Sequence, residues 1–202
     1  MTLKDGQLGP ESLVKELPKL TGAKVLIVGD IMLDGYFIGD AQRISPEAPV
    51  PVVLVSSERR LVGGAGNVAR NIKDLGGRPL LVGACGDGHN SDKLRGAIKD
   101  EGLDTSLVSL PGRPATTKTR IMARGQQMIR VDHEDSLPLD DAATDRILAV
   151  IEKEWPRQKV LIISDYNKGV VNRRLMQGLA DIRARHGKTV KILVDPKTGN
   201  FD

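Results

Sequence analysis

Consecutive rather than alternating apolar residues mark several short stretches of this chain: Lys24–Gly29, residues 80–85, Val160–Ser164 and residues 190–195. A strand with one wet face alternates apolar and polar side chains, whereas an unbroken apolar run requires cover on both faces. Between these runs lie stretches with helical periodicity. Val68, Ile72 and Leu75 precede Gly76, and Leu94 and Ile98 precede Gly102, with Asn90 or Ser91 placed to cap. Ala143, Ile147, Val150 and Ile151 fall between Asp140 and Pro156. Leu175, Met176, Leu179 and Ile182 fall between Asn172 and Gly187. Each set has an N-cap residue before it or a helix stop after it. Strand and helix in alternation predict an α/β fold, a mostly parallel sheet with helices on both faces.

Two segments break that rhythm. Residues 36–62 hold short β-prone pieces and three prolines, Pro46, Pro49 and Pro51. Proline within β-like sequence belongs at edges and loops. Residues 116–123 and 127–131 flank Arg124-Gly125-Gln126, which reads as a hairpin. Together, 36–62 and 113–131 predict a small β-rich lid projecting from the sheet. At the N-terminus, Leu13, Leu17 and Leu20 suggest a short helix interrupted at Pro18.

A length of 202 residues suits one domain with an appendage, and aromatics at 2% leave the core to Leu, Ile, Val and Ala. So few aromatics argue against single-stranded nucleic-acid binding, which needs stacking platforms. A single cysteine, Cys85, permits no intrachain disulfide, which fits a reducing cytosol. Its place at the end of an apolar run makes it a small buried residue. His89, His133 and His186 have no metal-ligand spacing, and no long apolar run suggests a signal peptide or membrane span. The net charge of +4 is mild, but basic residues concentrate at Arg113, Lys118, Arg120, Arg124 and Arg130. That density suits an anionic small molecule or simply a solvated strand face.

The glycine run Gly63-Gly64-Ala65-Gly66-Asn67 leads into the first of these helices. Such a turn lets a ligand approach backbone N–H groups closely, or merely supplies positive φ. A dinucleotide reading of Gly64-x-Gly66-x-x-Ala69 fails on context. Ser56-Ser57-Glu58-Arg59-Arg60 separates the preceding apolar stretch from the glycines, and the next strand ends in Ala84-Cys85 without a carboxylate. A Walker A reading of Gly187-Lys188-Thr189 fails because Ile182 occupies the first glycine position.

In open α/β sheets ligands bind beyond the carboxyl ends of the strands. The residues expected there are Asp30, Asp34, Asp87, Asp165, Lys168, Asp195 and Lys197. Carboxylates at one sheet edge, a glycine turn and a basic hairpin together suit a polyol phosphate.

These residues resemble a known family. Gly63-Gly64-Ala65-Gly66-Asn67-Val68-Ala69 is similar to the N-terminal signature of the ribokinase-like sugar kinases, and Gly29-Asp30-Ile31-Met32-Leu33-Asp34 to their opening strand. Arg43-Ile44-Ser45-Pro46-Glu47-Ala48-Pro49-Val50-Pro51-Val52 resembles the lid of the D-glycero-β-D-manno-heptose 7-phosphate kinases, the kinase half of bifunctional ADP-heptose synthases. Lys118-Thr119-Arg120, Arg124 to Asp132 and Ser164-Asp165-Tyr166-Asn167-Lys168-Gly169 resemble further segments. The likeness runs over residues 24–201, leaving 1–23 as an N-terminal extension. Gly125, Asn167 and Thr198 depart from the family pattern.

The resemblance implies ATP and Mg²⁺ as cofactors and phosphoryl transfer to the anomeric hydroxyl of the sugar. It implies substrate contacts from Asp34, Arg43, Gly63, Gly64, Asn67, Lys118, Arg120 and Arg124. Asp165, Lys168, Asp195 and Lys197 are expected near the transferred phosphate or Mg²⁺. It further implies cytoplasmic location, a phosphorylated sugar as partner, neither nucleic acid nor membrane, and a homodimer through lid strands. The family's Gly-Ala-Gly-Asp loop, which carries its catalytic base, does not occur in the 202 residues. The resemblance therefore puts the base beyond Asp202, and no catalytic residue is expected before it. Residues 24–202 read as the N-terminal two-thirds of a kinase domain, inactive alone. Another ribokinase-like sugar kinase, or a non-catalytic sugar-phosphate-binding module, remains the alternative.

Overall fold

A computed structural model describes residues 10–187 and 189–197, without the side chains of Pro10 and Leu13. The readings made at Leu13, Thr198 and Asp202, including that of a catalytic base beyond Asp202, lie outside the described residues. The chain begins with α1 (Pro10–Glu16) and a 3₁₀ turn, Leu17–Leu20, with Pro18 at its start. Leu17 is exposed, so this extension contributes little to the core.

Five parallel strands form the main sheet: β1 (Lys24–Gly29), β4 (Arg78–Cys85), β5 (Asp104–Ser109), β8 (Val160–Ser164) and β9 (Lys191–Asp195), in the order β5-β4-β1-β8-β9. The unbroken apolar runs are explained by what covers them. Val25, Ile27 and Leu81 face α2 (Ala65–Asp74) and α3 (His89–Asp100), which supply Ala65, Ala69, Leu94 and Ile98. Leu26, Val28 and Val82 face the other way, onto α4 (Asp141–Glu154) and α5 (Arg173–His186), which supply Ile147, Ile151, Leu175, Leu179 and Ile182. Burying one such Leu or Ile contributes about 1.5–3 kcal/mol.

Two helix starts have the caps expected of them. Asp140 accepts from Ala143 N at 2.7 Å and Asn172 accepts from Leu175 N at 2.8 Å. The α3 start differs. Gly88, at φ +83°, precedes the helix, and no side chain caps it. Ser91 instead donates its hydroxyl to the Asp87 carbonyl at 2.9 Å. A glycine in that conformation starts the helix two residues before the Asn90 cap expected from sequence. Met176 and Leu75, expected inside, are 40% and 44% exposed. Val150 only packs against the edge of the core.

β5 is an element that periodicity did not reveal. Its sequence, DTSLVS, is polar because only Val108 is fully buried at this sheet edge.

The lid is also more regular than its prolines suggest. β2 (Ile31–Ile44) and β3 (Pro51–Gly64), each 14 residues long, form one antiparallel hairpin that starts inside the core. Pro46 and Pro49 sit in its turn, and Pro51 opens β3, where no ladder donor is lost. β6 (Thr117–Ala123) pairs parallel with β2, and β7 (Gln126–His133) pairs antiparallel with β6, giving the order β3-β2-β6-β7.

Candidate functional site: a charged lid face above the strand tips

Asp34 lies on β2, four residues into the lid, opposite Lys118 of β6 and Leu61 of β3. Side chains two apart share a face, so Asp34 and Tyr36 stand beside Lys118 and Arg120. The Arg120 Nη1 donates to Asp34 Oδ1 at 2.7 Å, and the guanidinium lies 5.2 Å from the Tyr36 ring centre. Its hydrogen bond to Asp34 outweighs the opposing effect of burial and raises the Arg120 pKa.

Gly63, paired with Met32, closes the other side of Asp34. A Cβ on Gly63 would stand 2.2 Å from Asp34 Oδ2. The missing side chain thus makes room for that carboxylate. Gly64, at φ +60°, then turns the chain into α2, and a Cβ there would meet the Asp30 carbonyl at 2.3 Å. The start of α2 has no side-chain cap, so its N-terminal dipole faces this corner. Asn67, in the first turn, accepts through Oδ1 from Arg70 Nη2.

From Arg120 the charges continue across the same face. Arg130 clasps Asp132 with two bonds, at 2.8 and 2.9 Å. Lys118 Nζ bonds Asp132 at 2.9 Å and Glu134 at 3.0 Å. The other oxygen of Glu134 accepts from Lys168 Nζ at 2.8 Å. Lys168 belongs to the loop after β8, so Glu134 joins lid to core. Burial opposes the Lys118 charge, but its bonds to Asp132 and Glu134 prevail and raise its pKa. Glu134 is held below the usual carboxylate range, chiefly by the Lys168 hydrogen bond.

The strand tips lie beneath. Gly29 of β1, Ser164 of β8 and Asp195 of β9 are in register, which sets Asp30 beside Asp165. Asp30 is buried and accepts from the backbone N–H groups of Tyr166, Lys168 and Val170 at 2.8–3.0 Å. Burial pushes its pKa up, and those bonds offset part of the rise. Asp30 therefore shapes the 165–170 loop rather than offering its oxygens to a ligand. Asn167 takes φ +56° there, which asparagine tolerates better than most residues. Asp165 accepts from Asn167 N at 2.8 Å and Lys197 N at 3.4 Å. Asp195 and Lys197 are exposed. Asp87 accepts from Gly112 N at 3.1 Å, a loop role. Cys85 is buried, and burial raises its thiol pKa.

The structure thus gathers Asp34, Gly63, Gly64, Asn67, Lys118 and Arg120 on one side, with Lys168 and Asp165 below. It does not bring in two of the lid arginines. Arg43 stands nine residues beyond Asp34 on β2, about 30 Å along an extended strand. Arg124 caps the β6–β7 hairpin at φ +51° and pairs with Asp40 at 2.8 Å, about 20 Å beyond Asp34. Sequence reasoning did not single out Glu134 as a site residue. Its signal was the acidic run Asp132-His133-Glu134-Asp135 following a basic hairpin. An open groove of about 830 Å³ between α4 and α5 lies away from all of this. Its charges pair across it, as in Arg174 with Asp145 and Arg185 with Glu152.

Residues 23–201 match the model of the pfkB family carbohydrate kinases. The chain belongs to this family. It is 40% identical over 186 residues to the bifunctional protein HldE of Hyphomonas neptunium, covering 92% of this chain and 38% of that protein. It is 40% identical over 184 residues to the D-β-D-heptose 7-phosphate kinase of Bordetella bronchiseptica, covering 91% and 57% respectively. The chain thus spans well under two thirds of these relatives. Among solved structures it resembles Escherichia coli phosphofructokinase-2 in complex with fructose 6-phosphate, at 20% identity and a TM-score of 0.65, covering 89% of this chain and 56% of that one. The ribokinase of Giardia lamblia gives 17% identity and a TM-score of 0.62 over 89% and 56%. Both share the fold, a mostly parallel α/β sheet with helices on its two faces. No helix among the described residues is long and apolar enough to cross a membrane.

Proposed function

We propose that this chain is the sugar-binding part of a kinase for D-glycero-β-D-manno-heptose 7-phosphate. The reaction moves the γ-phosphoryl of ATP to the anomeric hydroxyl, giving the 1,7-bisphosphate for ADP-heptose and lipopolysaccharide core synthesis. The observation that carries the reading is the cornered carboxylate: Asp34 set between Arg120 and the bare backbone of Gly63. Asp34 is the acceptor for sugar hydroxyls, with Gly63, Gly64 and Asn67 lining the ring from the helix mouth. Lys118 and Arg120 supply cations for the 7-phosphate. Arg43 and Arg124 act at the lid's far end, where a second protomer would bring them to a site. Exposed Leu54, Ile129 and Val131 on the lid support a homodimer formed through its strands.

Phosphoryl transfer depends on alignment and charge neutralisation. Asp165, Lys168, Asp195 and Lys197 sit at the strand tips where the transferred group would lie. The described residues gather no cluster of three or more His, Cys, Asp or Glu that could cage a metal. Mg²⁺ commonly keeps its waters and rides on nucleotide phosphates instead. A Gly-Ala-Gly-Asp loop is absent from the 202 residues. We therefore expect the chain by itself to bind sugar phosphate without turnover, and a cytoplasmic setting where ATP is available.

Calorimetry with a ligand panel tests this. Heptose 7-phosphate should bind more tightly than heptose, ribose or fructose 6-phosphate, and Asp34→Ala should abolish that binding. A preference for another sugar would favour a different ribokinase-like kinase. Binding of none would remove the reading.

A further inference from the structure

Two ammonium groups converge on Glu134, one on each of its oxygens. Lys118 comes from lid strand β6 at 3.0 Å and Lys168 from the loop after β8 at 2.8 Å. Both lysine side chains are only 16% exposed. Glu134 follows the last residue of β7 and so stands at the point where the lid returns to the core. Its neighbours make it a surplus anion for Lys118, which already has a partner in Asp132 at 2.9 Å. Asp132 in turn shares Arg130. Lys118, Lys168 and Arg130 against Asp132 and Glu134 leave this patch net positive with Glu134 in place. Without Glu134 the two ammoniums would face each other with no anion between them.

Two oxygens of a carboxylate, each taking a charge-assisted hydrogen bond from a different lysine, reproduce what a phosphate does between two cations. We propose that Glu134 is an internal stand-in for a phosphate dianion. It occupies the anion position between Lys118 and Lys168 in the unliganded protein and is displaced when a phosphorylated ligand enters. The exchange suits a specificity role. A dianion brings one more negative charge than Glu134 and displaces it, whereas a neutral sugar lacks the charge to do so. Because Lys118 rides on the lid and Lys168 on the core, the same exchange couples ligand entry to the lid joint. The inference rests on the sugar-phosphate reading only for the identity of the ligand, since anion exchange between the lysines is testable with phosphate alone.

The experiment is a titration of the wild-type chain, Glu134→Gln and Glu134→Gln with Lys168→Gln, followed by NMR of the lysine side-chain carbons. Inorganic phosphate and heptose 7-phosphate serve as probes. With the competing anion removed, Glu134→Gln should bind phosphate at least about tenfold more tightly than wild type, with shifts at both Lys118 and Lys168. The double variant should lose the gain. Equal or weaker phosphate binding by Glu134→Gln would overturn the proposal and make Glu134 a permanent strut or a direct ligand. So would shifts confined to other lysines, or no phosphate binding by either protein. If Glu134→Gln does not fold, Glu134→Asp withdraws the carboxylate by one methylene and should tighten phosphate binding in the same direction. The two readings fail separately. Heptose 7-phosphate bound no better than inorganic phosphate would sink the sugar assignment alone, and Asp34-dependent sugar binding indifferent to position 134 would sink this one.

Discussion

Asp34 and Gly63 form a pair at the scale of single residues. The carboxylate occupies space that any Cβ would invade, at 2.2 Å from Oδ2. Gly63 has φ outside the left-handed region, so alanine is tolerated by the backbone but not by its neighbour. We predict that Gly63→Ala folds, with a loss of about 1–3 kcal/mol from overpacking, and weakens heptose 7-phosphate at least about tenfold by displacing Asp34. Thermal melts together with calorimetry check both parts. Arg113 has a different task. Its Nη2 donates to the carbonyls of Asp135, Leu137 and Lys168 at 2.7–3.0 Å, tying the chain's return from the lid to the loop after β8. Arg113→Met would strand those acceptors and should cost about 2–4 kcal/mol, measured by denaturant titration. It should also speed amide exchange in residues 135–139 and 166–170. Unchanged exchange there would remove Arg113 from the joint. The sequence grouped Arg113 with the basic residues of the lid, whereas the structure gives it a backbone-tying role. Its partners are carbonyls from two segments about thirty residues apart, which no local pattern encodes.

Among the elements, the core was readable because two-sided burial leaves a consecutive apolar signature. β1 and β8 match it from end to end. β5 escaped because an edge strand with one well-buried side chain has no such signature. The lid hairpin was legible as β structure, yet its 14-residue strands were not. Long pairing outside the core is sustained by cross-strand partners, and those appear only once the register is known. The site followed the same division. Asp34, the glycine turn and Lys118 fell near one another as the motifs implied, whereas Arg43 and Arg124 share a sequence neighbourhood with the site and lie far along the strands. Glu134, which fastens lid to core, and its lid neighbour Asp132 both have lowered pKa, and this gives a pH prediction. Glu134 is held below its ordinary 4.5 by Lys168 and Lys118, and Asp132 below 3.8 by Arg130 and Lys118. Groups whose folded pKa is depressed contribute stability that is whole above the unfolded value and lost as pH falls through the folded one. The stability difference between wild type and Glu134→Gln should therefore favour wild type by roughly 1 kcal/mol above pH 4.5 and vanish as acid protonates Glu134. Asp30 acts with the opposite sign. Its raised pKa makes its contribution greatest below 3.8 and smaller as pH rises, equally in both proteins, so it cancels from the difference.

The whole molecule is a two-faced sheet with a lid rooted in its own first crossover. Two patches of exposed apolar side chains among the described residues bear on assembly. One is the lid, where Leu54 is 79% exposed. The other is the β9 edge, where Met176 and Val194 border an open groove of about 530 Å³. We predict that Leu54→Lys with Ile129→Lys shifts a dimer to monomer in sedimentation without changing the circular dichroism spectrum. A wild-type monomer at every concentration would remove the lid-to-lid assembly. The purified chain should also release no ADP from ATP in the presence of heptose 7-phosphate, and measurable turnover would place a proton acceptor within these 202 residues. The most direct test of the central claim is a crystal structure of the chain with heptose 7-phosphate. The account predicts sugar hydroxyls on Asp34 and the Gly63–Asn67 turn, with the phosphate on Lys118, reached also by Arg120 and Lys168, and Glu134 swung aside. A sugar phosphate seated elsewhere, as in the α4–α5 groove, with Asp34 still paired only to Arg120, would contradict it.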